Sequence, residues 1–526
     1  MKMIDFFKRP LHFYTVWLAA MALLAAILAL CGAGMAWLLT GLIPLLIYVC
    51  RPSSWLHKIP VAGRSDWKSA VTVLVVTATV AACILPMNQF SLWNGQIPGH
   101  RNQYELMAEN ILAGRLHFDY GDEDQLLDLE NPYDPAQRDE AGVYYHWDHA
   151  YYNGRYYMYF GVVPVFLAFL PYRLLTGMPL TTYHGTQLFA AVAILGIFAL
   201  LKMLARRFFP KMSFGATLAF SSAVSIMSIW YSTAEPALYC TAITAGIALQ
   251  VWSLYCFFRA VWVEEKENRQ IGFAALGALL GALVFGCRPT IALANVIVLP
   301  MLAAFLKQHK FSWKLLGKLG LAALPYAVVA IALMAYNYAR FEDPFEFGQA
   351  YQLTVADQTQ YAVTLNFREM IRILNGLGEN FFSLPKMSEG FPYLNHGGAF
   401  VNFPILFFIF GALRRESRNV LRKEKLGGTL VGFVVAAAII TVMSVLWTPY
   451  LLERYRMDMY FLLGILCFIA IGFWHHTEND SARRSLNTAV VVMSVLTILS
   501  SALLCLRTIS VYYPDEVRQF GIFLFG

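Results

Sequence analysis

Long apolar segments alternate with short polar ones along most of this chain. Each apolar segment is roughly 17–25 residues long, the length that a helix needs to cross a bilayer. Two longer polar stretches break the alternation, one from about Gln89 to Tyr157 and one from Asn337 to about His396. The pattern predicts an all-α polytopic membrane protein of about thirteen transmembrane helices, with a long first outer loop that carries juxtamembrane helices.

Basic residues set the predicted topology, because they favour the cytoplasmic side of a membrane. They cluster at 51–68, 202–211 and 414–425. Placing these clusters inside predicts a cytoplasmic amino terminus, an outside carboxyl terminus and both polar stretches outside. The predicted spans lie at about 11–31, 34–50, 69–88, 185–205, 213–232, 237–258, 271–287, 290–306, 316–337, 397–412, 428–447, 457–474 and 486–505.

One apolar run is predicted not to cross. An odd number of crossings must separate Phe90 from the basic cluster at Lys202, yet two apolar runs lie between them. The first of these contains Pro164 and Pro171, so we expect Pro164 to Leu175 to lie along the outer interface.

The spans divide the chain into four parts. Residues 1–68 form an amino-terminal transmembrane hairpin with a cytoplasmic loop, and residues 69–338 form a transmembrane core that includes the outer loop 89–184. Residues 339–396 are the second outer loop, and residues 397–526 are the carboxy-terminal transmembrane helices.

Composition agrees with a membrane protein. The mean hydropathy is +0.53, with 58% hydrophobic and 14% charged residues, which is too little polar surface for a soluble domain of this size. The net charge of +7 reflects the cytoplasmic clusters, so no nucleic-acid partner is predicted. All eight cysteines lie in or beside apolar segments, which argues against a disulfide framework or a thiolate zinc site.

The outer loops carry the residues that could take part in a reaction or bind a substrate. Residues 104–116 predict a short amphipathic helix that ends at Gly114 and places Glu105 and Glu109 one turn apart. An acidic stretch, Asp119 to Glu130, and a run dense in Tyr and Trp, residues 144–157, follow it. Function is therefore expected in this loop.

A series of short motifs in these loops resembles the GT-C superfamily of membrane glycosyltransferases, and more narrowly a bacterial branch that depends on polyprenyl-phosphate sugars. In the first loop the motifs are Tyr104-x-x-Met107-Ala108 with Gly114-x-Leu116, Asn131-Pro132-Tyr133-Asp134-Pro135, and Tyr-Tyr-Asn-Gly-Arg-Tyr-Tyr at 151–157 followed by Gly161-Val162-Val163-Pro164. Downstream they are Gly286-Cys287-Arg288-Pro289-Thr290, residues 336–348, and Glu453-Arg454-Tyr455-Arg456.

The resemblance implies a GT-C-like helical bundle and a sugar transfer from a polyprenyl-phosphate donor to an acceptor hydroxyl. The acceptor is a glycan, a lipid or a protein, and the active site lies on the extracytoplasmic face of the cytoplasmic membrane, in the cell envelope. Such a reaction needs a carboxylate to take the hydroxyl proton and cations to stabilise the departing lipid phosphate.

The sequence leaves the identity of the general base open. The family usually has an Asp or an Asp-Glu pair just before the Tyr of the first-loop helix, whereas this chain has Arg101-Asn102-Gln103 before Tyr104. Asp148 and Glu105 are the two candidates, with Glu109 and Asp134 behind them. Each also has a structural interpretation, Asp148 as a turn cap and Glu105 as a solvated helix residue.

Three arginines are candidates for the donor phosphate. Arg288 lies between two apolar runs, where a guanidinium is costly unless it meets an anion or a polar cavity. Arg454 and Arg456 lie at an outer helix end, where an arginine fork suits phosphate. The alternative is interfacial snorkelling, or pairing with Glu453 or Asp458.

Aromatic and amide side chains beside the carboxylates suggest a surface on which a sugar could stack, although interfacial aromatic belts also account for many Tyr and Trp residues. The predicted substrate-binding residues are Arg288, Arg454, Arg456, Tyr104, Trp147, Tyr151, Tyr152, Asn153 and Arg340. No cofactor is firmly predicted. The cluster Asp122-Glu123-Asp124 leaves a divalent cation open, with a solvated loop tip as the simpler interpretation.

Two other functions remain as alternatives. A transporter or flippase of lipid-linked sugars would favour internal repeats and ionisable residues at the midplane, and neither is evident here. A cell-wall polymer ligase or polymerase would differ mainly in its acceptor.

Overall fold

The computed structural model describes residues 10–61, 71, 103–236, 238–309, 312–360, 366–388, 390–447 and 452–526. Within these residues, eleven helical segments are long and apolar enough to cross a membrane. They are Leu11–Cys31, Met35–Lys58, Thr182–Phe208, Phe214–Ala234, Leu238–Val263, Glu267–Phe285, Pro289–Leu306, Trp313–Phe341, Gly427–Leu446, Glu453–Thr477 and Asp480–Val511. The protein is therefore an all-α polytopic membrane protein, as predicted.

Twenty α-helices and three short strands are assigned in the described residues. The helices are α1 (Pro10–Cys31), α2 (Leu42–Cys50), α3 (Trp55–Lys58), α4 (Gln103–Leu112), α5 (Pro135–Ala141), α6 (Leu170–Thr176), α7 (Thr182–Phe208), α8 (Phe214–Ala234), α9 (Leu238–Phe258), α10 (Glu267–Phe285), α11 (Pro289–Ala292), α12 (Val298–Leu306), α13 (Trp313–Phe341), α14 (Phe367–Phe382), α15 (Ala399–Asn402), α16 (Arg415–Lys423), α17 (Gly427–Trp447), α18 (Glu453–Thr477), α19 (Asp480–Tyr512) and α20 (Pro514–Phe525). The strands are β1 (His117–Phe118), β2 (His149–Tyr152) and β3 (Arg155–Met158).

The eleven segments correspond to eleven of the thirteen predicted spans. The predicted span at 69–88 lies outside the described residues, apart from Val71. The span predicted at 397–412 is the short helix α15 followed by the 3-10 helix Pro404–Leu413.

This irregular segment nevertheless extends beside α18 from one end to the other. Near its start, the carbonyl of Gly397 accepts a hydrogen bond from Arg456 in the first turn of α18. At its end, Arg414 forms an ion pair with Glu478, one residue past α18. Because α18 has 25 residues, these ends are about 38 Å apart, enough to cross a bilayer.

The apolar segment predicted to lie along the interface is too short to cross. It consists of the π-helical turn Val165–Phe169 and α6, twelve residues that together rise about 18 Å. Leu174 and Leu175 are 64% and 86% exposed, so an apolar face points away from the protein. Just before this segment, the N–H of Val163 donates to the carbonyl of Gly286 at 2.9 Å, which ties the loop to the turn after α10.

The Tyr-rich run folds as a β-hairpin rather than as an open loop. β2 and β3 pair antiparallel, and β1 pairs with the other edge of β3. Asn153 and Gly154 connect β2 to β3 with φ angles of 48° and 71°, the left-handed conformation that a two-residue hairpin turn needs. The hairpin brings Tyr151 opposite Tyr156.

The two ends of the bundle differ in chemistry. At one end, here called the basic end, Arg207 pairs with Glu424, and Lys425 donates to the carbonyl of Lys307. At the opposite end, called the loop end, the first polar loop pairs with the second, since the N–H of Asp148 donates to the carbonyl of Leu353. The predicted grouping of the basic clusters away from both loops is therefore present in the fold.

Candidate active site

Asp148 lies at the loop end, immediately before β2, with 5% of its surface exposed. Its φ of 56° is left-handed, which is uncommon for a residue with a side chain and which Asp tolerates better than most. The backbone is held there on both sides. Its N–H donates to the carbonyl of Leu353 at 3.0 Å, and its carbonyl accepts from the side-chain amide of Gln103 at 2.8 Å.

Both carboxylate oxygens of Asp148 have a donor. Oδ1 accepts from the amide of Gln352 at 2.7 Å, and Oδ2 accepts from the hydroxyl of Tyr239 at the start of α9. A carboxylate can accept about four hydrogen bonds, so capacity remains for another donor. Burial raises the pKa of Asp148, while the bonds from Tyr239 and Gln352 and the charge of Arg454 lower it in part.

Arg288 and Arg454 approach the same place from two other elements. Arg288, in the turn before α11, makes an ion pair with Asp458 at 2.7 Å, and Thr290 donates to the same carboxylate at 2.6 Å. Arg454, in the first turn of α18, stacks on the ring of Tyr239 at 4.1 Å. Nη2 of Arg288 and Nε of Arg454 are buried and have no hydrogen-bond partner among the described residues.

Two tyrosine rings bring these groups together. Arg288 and Arg454 both lie over the ring of Tyr455, at 5.3 and 5.5 Å from its centroid, and the ring on which Arg454 stacks, Tyr239, carries the hydroxyl that donates to Asp148. Burial raises the pKa of the neighbouring Tyr159, whose hydroxyl donates to Gln349. We call Asp148, Tyr159, Tyr239, Arg288 and Arg454 the site cluster.

Gln103 connects the site cluster to the resemblance found in the sequence. It occupies the place, just before Tyr104, where that resemblance implies a carboxylate. Its side chain contacts the carbonyl of Asp148 at 2.8 Å and Nδ1 of His149 at 3.3 Å. The position at which the resemblance implies a carboxylate is thus adjacent to Asp148, which lies just before β2.

Glu105, the other predicted base, has a different environment. Its Oε1 accepts from the N–H of Thr182 at 2.6 Å and from the hydroxyl of Thr182 at 3.0 Å, at the amino-terminal end of α7. A carboxylate in this position stabilises the start of a helix. The bonds of Glu105 to Thr182 favour a structural role.

Several predicted substrate-binding residues also serve the fold. Tyr104 is fully buried and stacks on Phe169 at 5.3 Å. Arg340 donates to the carbonyl of Met158 at 2.7 Å and to Asn337 at 2.9 Å. Arg456 is buried, and besides its bond to Gly397 it lies 3.6 Å from Glu453.

The hairpin residues are divided in the same way. Tyr151 is 2% exposed and packs in the loop core, while Tyr152 stacks with Tyr351 at 4.7 Å. Asn153 forms the exposed turn at the far tip. Of this predicted set, Trp147 is next to Asp148 and is 46% exposed, so it remains available to a ligand. The role of these residues in substrate binding stays a prediction.

Histidines beside the cluster are part of its support. Burial lowers the pKa of His149 to about 4, so its ring is neutral at physiological pH. If Nδ1 carries the proton and donates to the carbonyl of Trp147 at 2.9 Å, then Nε2 accepts from Tyr120 at 2.9 Å. The pair of bonds fixes the residue that follows Asp148.

A divalent cation finds no ready ligand set in the part of the chain that the structure describes. No three His, Cys, Asp or Glu side chains there are arranged around a common point. In the acidic stretch, Asp122 instead lies 3.1 Å from His146.

The fold and the site cluster define a multi-pass α-helical membrane protein with a carboxylate and two arginines gathered at its loop end. No family model matches the chain, and no curated protein matches it. The crystal structure of ArnT from Cupriavidus metallidurans bound to undecaprenyl phosphate is similar, with a TM-score of 0.40 and 13% identity, over 86% of this chain and 77% of that one.

A second similar structure is the Archaeoglobus fulgidus oligosaccharyltransferase tethered with an acceptor peptide that contains the NVT sequon. Its TM-score is 0.45 and its identity 15%, over 84% of this chain and 56% of that one. Both are GT-C glycosyltransferases, the superfamily that the sequence resembles. Because both TM-scores are below 0.5, the function proposed below rests on the site residues.

Proposed function

We propose that this chain is a membrane glycosyltransferase that moves a sugar from a polyprenyl-phosphate donor to an acceptor hydroxyl, with Asp148 as the general base. The observation that carries the proposal is that Arg454 stacks at 4.1 Å on Tyr239, whose hydroxyl donates to Asp148, while Arg288 and Arg454 both lie over the ring of Tyr455. A buried carboxylate beside two guanidinium groups provides a proton acceptor and an anion site within one small volume.

The step is a single displacement. The acceptor oxygen forms a bond to the anomeric carbon while the bond from that carbon to the phosphate oxygen breaks. The hydroxyl proton passes to Asp148, and the phosphate leaves with the electron pair. The phosphate changes from a singly charged diester to a monoester with a second negative charge, so cations beside it bind the transition state more tightly than the donor.

Asp148 suits the role of base. Tyr239 and Gln352 orient its two oxygens, and the raised pKa makes its ionised form a stronger proton acceptor than that of an exposed Asp. The left-handed backbone fixes the side chain further, since positions of this kind are held by the structure around them.

Arg454 is the better candidate of the two arginines for direct phosphate contact. Its contacts are with aromatic rings, those of Tyr239 and Tyr455, and it has a buried Nε without a partner among the described residues. Arg288 is already neutralised by Asp458, so Nη2 is the atom it can offer. Arginine forks of this kind suit phosphate oxygens.

Lipid reaches the cluster past the interfacial segment. Gly161 packs so closely against the backbone of Gly286 and Cys287 that a Cβ atom would lie 2.3 Å from the nearest oxygen. The segment that follows, with Leu174 and Leu175 exposed, therefore starts beside Arg288. A polyprenyl tail can remain in the bilayer here while its phosphate meets the arginines. The positive-inside rule places the loop end on the outer face of the cytoplasmic membrane.

Reconstituted vesicles test the proposal. The wild-type protein is supplied with a panel of radiolabelled polyprenyl-phosphate pentoses and hexoses, and with octyl glucoside or envelope lipid extract as acceptor. We expect label to move to the acceptor and Asp148→Asn to abolish the transfer, while Asp139→Asn, an exposed carboxylate on α5, leaves it intact. Movement of intact donor across the bilayer without transfer would instead establish a transporter.

A further inference from the structure

A cavity of about 580 Å³ lies at the loop end, beside the amino terminus of α18. Residues of α8, the second polar loop, α18 and α19 line it, including Lys386, His396, Arg454 and Arg507. Arg454 belongs both to this wall and to the site cluster, where it stacks on Tyr239. The cavity therefore lies next to the proposed catalytic centre.

The charge of the wall is unbalanced. Its cations are Lys386, Arg454, Arg456 and Arg507, and its carboxylates are Glu379 and Glu453. Glu453 is paired with Arg456 at 3.6 Å. The side chains of Lys386 and Arg507 form no hydrogen bond or ion pair with any described residue. Among the described residues of the wall, positive charge therefore exceeds negative charge, and Lys386 and Arg507 have no partner among them.

Buried polar groups on the same wall point to an anion. Arg456 is 7% exposed, and its Nε has no hydrogen-bond partner in the described part of the chain. Burial, and then the charges of Arg456 and Arg507, lower the pKa of His396 to about 3. α18 begins at Glu453, on the same wall, and its capping residue Leu452 supplies no side-chain acceptor for the first N–H groups.

We infer that this cavity is a second anion site, which binds a phosphate-class group distinct from the donor phosphate proposed for Arg288 and Arg454. Two sources would supply the group: the second phosphate of a polyprenyl diphosphate carrier, or a phosphate carried by the acceptor. The choice between these sources rests on the proposed function, whereas the anion site rests only on the cavity.

Binding of sn-glycerol 1-phosphate to the full chain in nanodiscs of neutral lipid tests the site. Lys386→Gln and Arg507→Gln should each weaken binding about tenfold or more, because each removes a charge-assisted contact. Lys386 is exposed, so its replacement leaves the fold intact. Arg368→Gln, an exposed arginine on α14 outside the cavity, is the matched control and should change nothing. Equal affinity in wild type and both cavity variants, or no saturable binding to wild type, would overturn the inference.

Farnesyl phosphate and farnesyl diphosphate separate the two sources. If Arg507→Gln weakens the diphosphate much more than the monophosphate, the second phosphate of the donor occupies the cavity. If it weakens glycerol phosphate and affects both farnesyl probes equally little, the acceptor supplies the phosphate. Binding of glycerol phosphate requires no sugar transfer, so this measurement stays decisive even if no sugar transfer is ever found.

Discussion

Asp148 and Glu105 are both buried carboxylates of the first polar loop, yet their surroundings differ in kind. Glu105 accepts from a backbone N–H and a hydroxyl of Thr182, and so secures the start of α7. Asp148 accepts from two side chains, faces a cation and lies on a left-handed backbone. The comparison teaches that burial alone does not mark a reactive carboxylate. A reactive carboxylate is marked by side-chain partners that orient its oxygens and leave it able to contact a ligand.

The largest effect should separate these two carboxylates directly. Asp148→Asn should lower turnover by about 10²–10⁴, the usual contribution of a positioned general base, with donor binding retained. Glu105→Gln should leave turnover per folded molecule within a few-fold of wild type. Transfer rates at saturating donor, normalised to folded protein, provide the measurement. An equal loss of turnover in both variants would contradict the assignment of Asp148 as the base and of Glu105 as a structural residue.

The same distinction can be drawn between the two arginines. Arg288→Ala leaves Asp458 as a buried charge without its partner, which should cost about 3–5 kcal/mol of stability. Arg454→Ala breaks no ion pair among the described residues, so the protein should stay folded and lose donor affinity instead. Thermal unfolding and donor binding measured on both variants test this.

The double variant Arg288→Ala with Asp458→Asn is the control for the first arginine, since it removes the stranded charge. Its stability should recover toward wild type while transfer stays impaired. If Arg454→Ala unfolded the protein and Arg288→Ala did not, the structural and functional assignments of these two residues would be reversed.

Much of this arrangement follows from sequence. Apolar segment length predicts the spans, and basic clusters predict which ends lie together, because both depend on local composition. Arg288 and Arg454 could be predicted for a similar reason, because a guanidinium at a membrane boundary is costly unless it meets an anion or a polar cavity. Asp148 was a candidate because it is a carboxylate within the aromatic run of the first loop. The hydrogen-bond partners of Asp148 could not be predicted from the sequence. Tyr239 and Gln352 are ordinary residues 91 and 204 positions from Asp148, and only the packed fold brings them to it.

The aromatic run at 144–157 contains a hairpin signal that the prediction of a sugar-stacking surface did not use. Asn153-Gly154 between Tyr-rich segments is a strong signal for a two-residue hairpin turn. Tyr151 and Tyr156 lie opposite each other in the hairpin and are both buried, while Tyr144, which precedes β2, is 62% exposed. Tyr104 is buried because its helix packs on Phe169. The role of Tyr152 and Asn153 in substrate binding stays a prediction.

A smaller effect concerns pH. The bond from Gln352 lowers the pKa of Asp148, so Gln352→Leu should raise that pKa further. Asp148 acts as a base only when ionised, and activity is lost as the pH falls through its pKa. The acid limb of the wild-type profile should therefore lie above the usual Asp range near 4, and the limb of Gln352→Leu should lie at still higher pH.

The pH profile of kcat/KM measures this shift. Gln360→Leu, an exposed residue of the same loop, serves as the control and should keep the wild-type limb. A limb that moved to lower pH in Gln352→Leu would contradict the assignment of Asp148 as the base, because removing a donor to the ionised form cannot stabilise that form.

The smallest effect belongs to Glu105. Glu105→Gln keeps an oxygen that can accept from Thr182 but removes a negative charge from the amino terminus of α7, which should cost about 0.3–1 kcal/mol of stability. Glu109→Gln is the matched control one turn away, where a partly exposed ion pair with Arg173 at 3.5 Å contributes less than its geometry suggests. In detergent, the wild type and Glu109→Gln should unfold at similar temperatures, and Glu105→Gln should unfold at a lower temperature. The acid limb of the pH profile should be the same in all three proteins. A Glu105→Gln protein that unfolds like the wild type but transfers no sugar would transfer the role of base from Asp148 to Glu105.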